Sequence, residues 1–405
     1  MKPMTITLGN GLRAAIRRSE GSAAYVGVAV DAGSRDDFEG RDGLAHFVEH
    51  TLFKGTRRRS SLQISNRLES VGGELNAYTS REETLIYAVA PGAETARAVE
   101  LLADIIGDSI FDERELRKER DVVTEEINLY LDTPSDAVYD LFEENIYAGS
   151  RLSHNILGDA ESVSRLGSQD CLDFVRRRYT PGHMTLYLVS PLPAERAARL
   201  LEKHFGGILR PDEAQGRIAP PPAEHFEVVH DHDTHQAHMV MGCRIFGRTD
   251  ERRHALFLVN NYLGGPGMSS RLNREIRERR GLAYSVESNV SLLSDCGTFS
   301  VYCGTEPQQA ARCAKLISRE ITRLADNPLT PRAFNAVKEQ YCGQLLVNSD
   351  NRESMAMSMA KGLLYFDKVI TAEDAAERVR SVTAEQFREI AEMLAATPLS
   401  SVKIS

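Results

Sequence analysis

Apolar and polar residues alternate along several short stretches of the chain, and stretches with helical periodicity follow them. Alternation predicts half-buried strands, and apolar residues three or four positions apart predict amphipathic helices. Four such stretches form two similar pairs: residues 24–37 resemble 238–251, and residues 84–106 resemble 298–321. Within the second pair, Thr298 follows Thr84 by 214 positions (298 − 84). A repeat this long indicates two duplicated α+β domains, because solenoid repeats are far shorter.

The clearest interruption of this pattern is a segment rich in Gly and Pro. Residues 206–225 have neither strand nor helix periodicity, as is typical of a linker. We therefore expect a first domain at 1–208, a linker at 209–224 and a second domain at 225–405. The length agrees with this division, since 405 residues exceed one ordinary core and predict two domains of about 200 residues.

One predicted helix, within residues 43–55, has chemically distinct sides. His46, Glu49 and His50 share one side, at helical spacing. The opposite side is apolar and is expected to face the core; its residues are Leu44, Phe47, Val48 and Leu52. Histidines four positions apart on a helix can bind the same metal ion. The order HxxEH is that of a zinc-peptidase variant, and it favours a metal site over a solvated polar stripe.

A catalytic zinc site usually has three protein ligands and a water, so a further ligand is needed. Residues 112–132 predict a charged helix that ends before Pro134. Glu119 and Glu126 lie on one face of this helix, two turns apart, and either could be the third ligand. The spacing does not exclude Glu125.

Together the two helices resemble those of the pitrilysin/insulinase family of inverted-motif zinc peptidases. In that family HxxEH is followed about 76 residues later by a glutamate, which corresponds here to Glu126 (126 − 50 = 76). The resemblance implies that His46, His50 and Glu126 bind one Zn²⁺ per chain. It also implies that Glu49 is the general base and that Glu119 supports the ligands.

The resemblance extends over nearly the whole chain. Further matching motifs are NGLR (10–13), GGELNAYTSREET (72–84), DTPSD (132–136), ILGD (156–159) and YTP (179–181). The size and layout are similar to the short bacterial branch, which resembles a mitochondrial processing peptidase subunit. The fold it implies is α+β, with two similar tandem domains, each a mostly antiparallel sheet covered by helices on one side.

The second half of the chain lacks the metal motif. At the repeat distance of 214 residues, Asn260, Leu263 and Gly264 stand in place of the two histidines and the glutamate. The same half contains Arg277 and Tyr284, which match an Arg/Tyr pair of the family. An Arg can bind a peptide carbonyl, and a Tyr hydroxyl can donate to an oxyanion as it forms.

The resemblance also implies how substrate is bound. Residues 74–81 match the strand at the edge of the family's cleft, to which an extended peptide could add through backbone hydrogen bonds near Asn76 and Ala77. The expected function is therefore a zinc metalloendopeptidase that cleaves unstructured peptides in a clam-shaped chamber. Family members build that chamber from four such domains, so this chain would need a homodimer. The alternatives are a partner subunit of a heterodimeric peptidase and a dedicated maturase of one peptide.

Charge and composition exclude several other classes. The net charge of −9 argues against a nucleic-acid partner, because binding to phosphates requires a basic surface. The six cysteines form no CxxC pair, which indicates thiols in a reducing compartment. Neither an apolar leader nor a run of about 20 apolar residues occurs, so we expect a cytoplasmic protein without a membrane partner.

Overall fold

The computed structural model describes residues 2–212, 216–232 and 235–405. Its strands are β1 Met4–Thr7, β2 Arg13–Arg18, β3 Ala23–Val30, β4 Glu74–Thr79, β5 Thr84–Pro91, β6 Met184–Ser190, β7 Glu227–His230, β8 Ala237–Ile245, β9 Ala283–Leu292, β10 Gly297–Thr305 and β11 Ser400–Ile404. Its α-helices are α1 Leu44–Leu52, α2 Ser61–Glu69, α3 Thr95–Asp108, α4 Glu113–Leu131, α5 Pro134–Ile146, α6 Ala160–Ser164, α7 Ser168–Arg178, α8 Ala194–Phe205, α9 Arg253–Gly264, α10 Ala310–Asp326, α11 Pro331–Asn348, α12 Arg352–Phe366, α13 Ala372–Ser381 and α14 Ala384–Ala396.

These elements form two compact units, each assembled from separate stretches of the chain. The stretches of the first unit are Met1–Ile127, His154–Arg217 and Ser349–Thr371. The stretches of the second unit are Asn128–Ser153, Ile218–Asn348 and Ala372–Ser405. Each unit therefore contains a segment that lies far along the sequence from most of its other residues.

The first unit contains a six-stranded sheet in the order β1-β2-β6-β3-β5-β4. All neighbouring strands are antiparallel except β2 and β6. Val28 of β3 lies in a buried cluster with Phe47 of α1 and Leu102 of α3. Ala29, next along the same strand, points to the other face and lies in a cluster with Met359 of α12. The central strands are therefore apolar on both faces because helices cover both.

The second unit contains a five-stranded sheet in the order β7-β11-β8-β10-β9, in which only β7 and β11 are parallel. One face packs on several helices, with Phe299 of β10 and Ile317 of α10 in the same buried cluster. On the other face, Val240 of β8 and Phe142 of α5 are in one cluster. The second face of each sheet is thus covered by the unit's sequence-distant segment, α12 in the first unit and α5 in the second.

The fold class predicted from the sequence is confirmed, and the structure adds the helix on the second face of each sheet. The repeat is visible in the strands, since β3 begins at Ala23 and β8 begins at Ala237, 214 positions later (237 − 23). The sheets also correspond in topology, because each contains a single parallel pair. Duplication of one α+β domain accounts for these similarities.

Part of the predicted linker, residues 213–215, lies outside the described residues, as do Met1 and residues 233–234. The described parts of 209–224 contain neither helix nor strand. The boundaries 1–208, 209–224 and 225–405 stay a prediction. Among the described residues, none of the helices combines the length and the apolar composition that crossing a membrane requires.

Candidate metal centre

Helix α1 begins at a position that only glycine can occupy. Gly43 has φ +89°, and a Cβ added there would lie 2.3 Å from the carbonyl oxygen of Leu157. The carboxylate of Asp37 accepts hydrogen bonds from the first free backbone amides, that of Gly43 at 2.8 Å and that of Ala45 at 2.7 Å. As predicted, the apolar side of α1 is fully buried: Leu44, Phe47, Val48 and Leu52. The helix is therefore fixed at its start and along one side.

The other side of α1 faces α4, and three side chains from the two helices converge. One ligand atom from each of His46, His50 and Glu126 lies within 4.8 Å of the other two. The Nε2 atoms of His46 and His50 are 3.7 Å and 3.4 Å from Glu126 Oε2. Zinc bonds near 2.1 Å in tetrahedral geometry place ligand atoms about 3.4 Å apart. Two imidazoles and a carboxylate at these distances fit one zinc ion, and no second such group occurs among the described residues.

The two other candidate glutamates of α4, Glu119 and Glu125, occupy different places. Glu119 Oε1 lies 3.0 Å from Nδ1 of His50, the ring nitrogen on the far side from Glu126, and Glu119 Oε2 lies 2.7 Å from Lys54 Nζ. This contact fixes the ring of His50 with Nε2 towards the other ligands, as carboxylates beside metal-binding histidines do. Glu125 is not part of the group. The geometry thus separates the three glutamates, while their chemical roles stay predictions.

The surroundings of the two histidines shift their pKa values in opposite directions. Burial, with a contribution from the neighbouring His50, lowers the pKa of His46 to about 4, so its imidazole is neutral and has a lone pair for a metal. Burial also lowers the pKa of His50, but its bonds to Glu119 and Glu126 outweigh burial and raise this pKa to about 9. A metal ion must therefore displace a proton from His50.

Glu49 lies on the same side of α1 but outside the group of three. Its side chain is buried, and its Oε2 accepts a hydrogen bond of 2.7 Å from the hydroxyl of Thr79. Burial raises the pKa of Glu49, although the bond from Thr79 acts in the opposite direction. A carboxylate with a raised pKa beside a metal site is suited to general-base catalysis near neutral pH.

Asn76 and Ala77 lie on β4, the last strand of the first sheet. They pair with Tyr87 and Ile86 of β5 on one side. On the other side no strand follows within the described residues. The strand also ends at Thr79, which bonds to Glu49. An extended peptide could therefore add to this free edge beside the candidate metal centre.

Arg277 and Tyr284 belong to the second unit, whereas His46, His50 and Glu126 belong to the first. Arg277 lies in a π-helical turn formed by Asn273–Glu278, with its Nε 3.9 Å from the carboxylate of Glu278. Tyr284 is at the start of β9 and is 55% exposed. Both side chains are accessible to solvent, as contact with a substrate requires. Their participation at the metal stays a prediction.

The second unit has a different site at the place that corresponds to the metal centre. Asn260 and Gly264 of α9 line a cavity of about 650 Å³ together with Ser288 of β9. The hydroxyl of Ser288 donates to the carbonyl oxygen of Asn260 at 3.1 Å. The amide of Asn260 thus stands in place of the His46 imidazole, and Gly264 offers no side chain in place of His50, in agreement with the substitutions seen in the repeat.

Three residues at the centre were not singled out from the sequence: Asp37, Lys54 and Thr79. Lys54 follows His50 by one helical turn, so its proximity to the site could have been expected from the spacing. Asp37 and Thr79 lie outside α1 and α4. Asp37 accepts hydrogen bonds at the start of α1, and Thr79 donates one to Glu49. Only the position of Thr79 within the matching stretch 72–84 pointed to it.

Comparison with known proteins agrees with this geometry. The model of the insulinase family, peptidase family M16, matches residues 13–160, and the model of the peptidase M16 inactive domain matches residues 165–341. The chain is 34% identical over 389 residues to an uncharacterized zinc protease of Streptomyces coelicolor, covering 94% of this chain and 84% of that protein. It is 29% identical over 393 residues to the mitochondrial-processing peptidase subunit beta of Bos taurus, covering 95% of this chain and 80% of that protein. A crystal structure described as a peptidase M16 inactive domain from Pseudomonas fluorescens superimposes with a TM-score of 0.92 at 18% identity, covering 100% of this chain and 98% of that one.

Proposed function

The chain belongs to the insulinase family, peptidase family M16, and on that basis we propose that it is a zinc metalloendopeptidase that hydrolyses unstructured peptides. The observation that carries the proposal is the convergence of His46, His50 and Glu126, with Glu49 on the same side of α1. The family's defining motif is therefore present both in the sequence and as a group of side chains that fits one zinc ion.

His46, His50 and Glu126 would hold the zinc. When bound, zinc lowers the pKa of a water molecule and polarises the scissile carbonyl. Glu49 takes a proton from the attacking water and passes it to the leaving amine. Glu119 holds His50 in the orientation that keeps Nε2 available to the metal. The apolar side of α1 packs in the core and keeps these groups in register.

Substrate would bind as an added strand along β4. The free edge of the sheet supports this, because backbone groups near Asn76 and Ala77 can pair with any extended peptide. Recognition through the backbone implies weak dependence on substrate sequence. We propose that this occurs within a clam-shaped chamber, which would admit unfolded chains and exclude folded domains.

The chamber would be completed by a second copy of the chain. In this arrangement Arg277 and Tyr284 of one copy act at the metal centre of the other, where Arg277 binds the peptide carbonyl and Tyr284 donates to the oxyanion. A closed two-fold dimer would make the two sites equivalent. The accessibility of both side chains supports the proposal.

A second function is favoured by one observation, the similarity to a Bos taurus protein that is named as a subunit. On this alternative the chain would be one subunit of a heterodimeric peptidase and would need a related chain for activity. The metal centre and its chemistry would be the same, but the chamber would contain two different chains.

One experiment separates the two functions. The chain is purified alone, its zinc content is measured, and it is incubated with an unstructured peptide before and after treatment with a chelator. The proposal predicts cleavage that is lost with the chelator and restored by zinc. A stable domain containing the same peptide sequence is the matched control and should remain intact. The assay is repeated with a related second chain added, and cleavage only in that mixture would instead support the heterodimer. Zinc binding without cleavage, either alone or in the mixture, would refute both functions.

A further inference from the structure

Glu49 is held by only one of its two carboxylate oxygens. Oε2 accepts the hydrogen bond from Thr79, whereas Oε1 has no hydrogen-bond donor in the part of the chain that the structure describes. Glu49 is only 9% exposed, so the orientation of its side chain depends on this single bond and on packing. One oxygen is therefore fixed, and the other is left for a water molecule.

The hydroxyl of Thr79 has a single proton and two oxygens within reach. Glu49 Oε2 is 2.7 Å away, and Thr84 Oγ1 is 3.4 Å away. Thr84 donates its own proton to the carbonyl oxygen of Ala32 at 2.9 Å, so it can only accept from Thr79. The shorter distance and the charge of the carboxylate direct the proton of Thr79 to Glu49.

Thr79 is itself fixed because β4 ends there in a tight turn. The backbone amide of Ser80 donates to the carbonyl oxygen of Glu83 at 2.7 Å, and the amide of Glu83 donates to the hydroxyl of Ser80 at 3.1 Å. The amide of Ser34 donates to the carbonyl oxygen of Ser80 at 3.1 Å. Gly33 packs closely against the same carbonyl of Ser80, since a Cβ added to Gly33 would lie 2.2 Å from its oxygen.

The other end of the turn is anchored by α12, which belongs to the same unit. The carboxylate of Glu83, whose side chain is only 4% exposed, is 2.6 Å from Lys361 Nζ. It accepts hydrogen bonds from the hydroxyl of Tyr78, at 2.7 Å, and from that of Tyr365. Lys361 and Tyr365 lie four positions apart on α12, so one face of the helix binds both oxygens of Glu83.

From these contacts, and resting on the proposed function, we propose that Thr79 is a positioning residue for Glu49 and that α12 controls it through Glu83. The path is continuous: Lys361 and Tyr365 hold Glu83, the turn from Glu83 fixes Thr79, and Thr79 orients the general base. Holding one oxygen of Glu49 restricts the other to the direction of the attacking water, which lowers the entropy lost in reaching the transition state.

The first test compares Thr79→Val, which keeps the shape and removes the hydroxyl, with Thr79→Ser, which keeps the hydroxyl. For Thr79→Val we expect kcat to fall by about ten- to a hundredfold, the effect of losing one hydrogen bond to a charged group. KM and zinc content should stay unchanged. The acid limb of the kcat–pH profile should move to higher pH, because the lost bond favours the ionised form of Glu49. Thr79→Ser should restore wild-type behaviour.

A purely structural role would change thermal stability or zinc content and leave the pH profile in place. The positioning role would be overturned by a Thr79→Val chain with wild-type kcat and an unshifted acid limb. It would also be overturned if Thr79→Ser were as impaired as Thr79→Val, because the hydroxyl would then not be the cause.

The second test asks whether α12 acts through Thr79. Tyr365→Phe removes one donor to Glu83 and should lower kcat several-fold, with the acid limb shifted in the same direction. In a Thr79→Val background the same change should have no further effect on kcat, since residues on one path are not additive. Ser358→Ala, an exposed position on α12, is the matched control and should resemble wild type. Wild-type kcat for Tyr365→Phe, or independent effects in the double variant, would reject the role of α12.

Glu49→Gln, measured in the same series, separates this inference from the proposed function. If Glu49→Gln is inactive and Thr79→Val is fully active, the base is correct and its positioning by Thr79 is wrong. If Glu49→Gln is as active as wild type, the proposed mechanism itself fails.

Discussion

Replacing Glu119 with Gln should weaken zinc binding without removing a ligand. Glu119 is buried and lies 3.0 Å from Nδ1 of His50 and 2.7 Å from Lys54 Nζ. Glutamine has the same shape, and its amide oxygen can still accept from Nδ1. It has no charge, however, and so loses the attraction that orients the imidazole and makes it a stronger ligand.

The expected loss follows from this contact. Removing a carboxylate that supports a metal-binding histidine typically lowers affinity by about ten- to a hundredfold, which corresponds to about 1.4 to 2.8 kcal/mol. Glu126→Gln should lower affinity far more, because the oxygen that lies 3.4 Å from His50 Nε2 would no longer be a charged ligand. The order of affinities should therefore be wild type, then Glu119→Gln, then Glu126→Gln.

The assay is a competition titration against a fluorescent zinc chelator, with circular dichroism to verify folding. Glu115→Gln is the matched control, since Glu115 lies on the same helix and its carboxylate pairs with the exposed Lys118, away from the metal site. It should bind zinc as wild type does. A Glu119→Gln chain that keeps wild-type zinc affinity would contradict the support of His50 by Glu119. If Glu119→Gln loses more affinity than Glu126→Gln, the two glutamates have exchanged roles.

Three further predictions concern protonation, the linker and assembly. Zinc binding at pH 7 should release about one proton, because His50, with a pKa of about 9, is protonated until the metal binds. Calorimetry in two buffers of different ionisation enthalpy measures the number of protons released, and a value of zero would contradict this prediction. Arg217→Met should lower the free energy of unfolding by about 3 kcal/mol, since Arg217 donates two hydrogen bonds to the buried carboxylate of Asp36. Urea denaturation measures this free energy, and a decrease below about 1 kcal/mol would contradict the prediction. Mixing inactive Glu49→Gln and Tyr284→Phe chains should restore about a quarter of wild-type activity if each active site contains residues of two copies. If activity does not recover although the subunits exchange, the active site is not shared between copies.

Local periodicity was sufficient to predict α1 and its two faces. Leu44 and Phe47 are fully buried, and His46 and His50 lie together on the opposite side, as 100° per residue requires. The repeat of 214 residues predicted the second sheet for a similar reason, because duplicated domains retain their order of strands and helices. Both predictions use information that one sequence contains: the spacing of neighbouring residues in α1, and the similarity between the two halves of the chain.

Contacts between distant segments could not be predicted in the same way. The sequence of α12 has little amphipathic pattern, and it does not show that this helix covers the sheet of the first unit. The contact of Lys361 with Glu83 joins residues 278 positions apart (361 − 83), and no periodicity refers to it. The same limit applies to Thr79, whose bond to Glu49 forms only when β4 packs beside α1.

The three candidate glutamates of α4 show how far helical periodicity can distinguish one possible metal ligand from another. Glu119 and Glu126 differ by seven residues and so share a face, whereas Glu125 is turned by about 100° from Glu126. Phase therefore disfavours Glu125 but cannot choose between the other two. That choice depends on how α4 packs against α1. The packing places Glu119 beside Nδ1 of His50 and Glu126 beside Nε2.

Glu49 is proposed to act as a base and not to bind the metal. Glu49→Gln has the same shape, keeps the ligand set of His46, His50 and Glu126, and removes only the proton acceptor. Its zinc content and its rate of peptide cleavage are measured on the same preparation. We expect about one zinc ion per chain, as in wild type, and almost no cleavage. A Glu49→Gln chain that has lost its zinc, or one that cleaves peptide at the wild-type rate, would contradict this role.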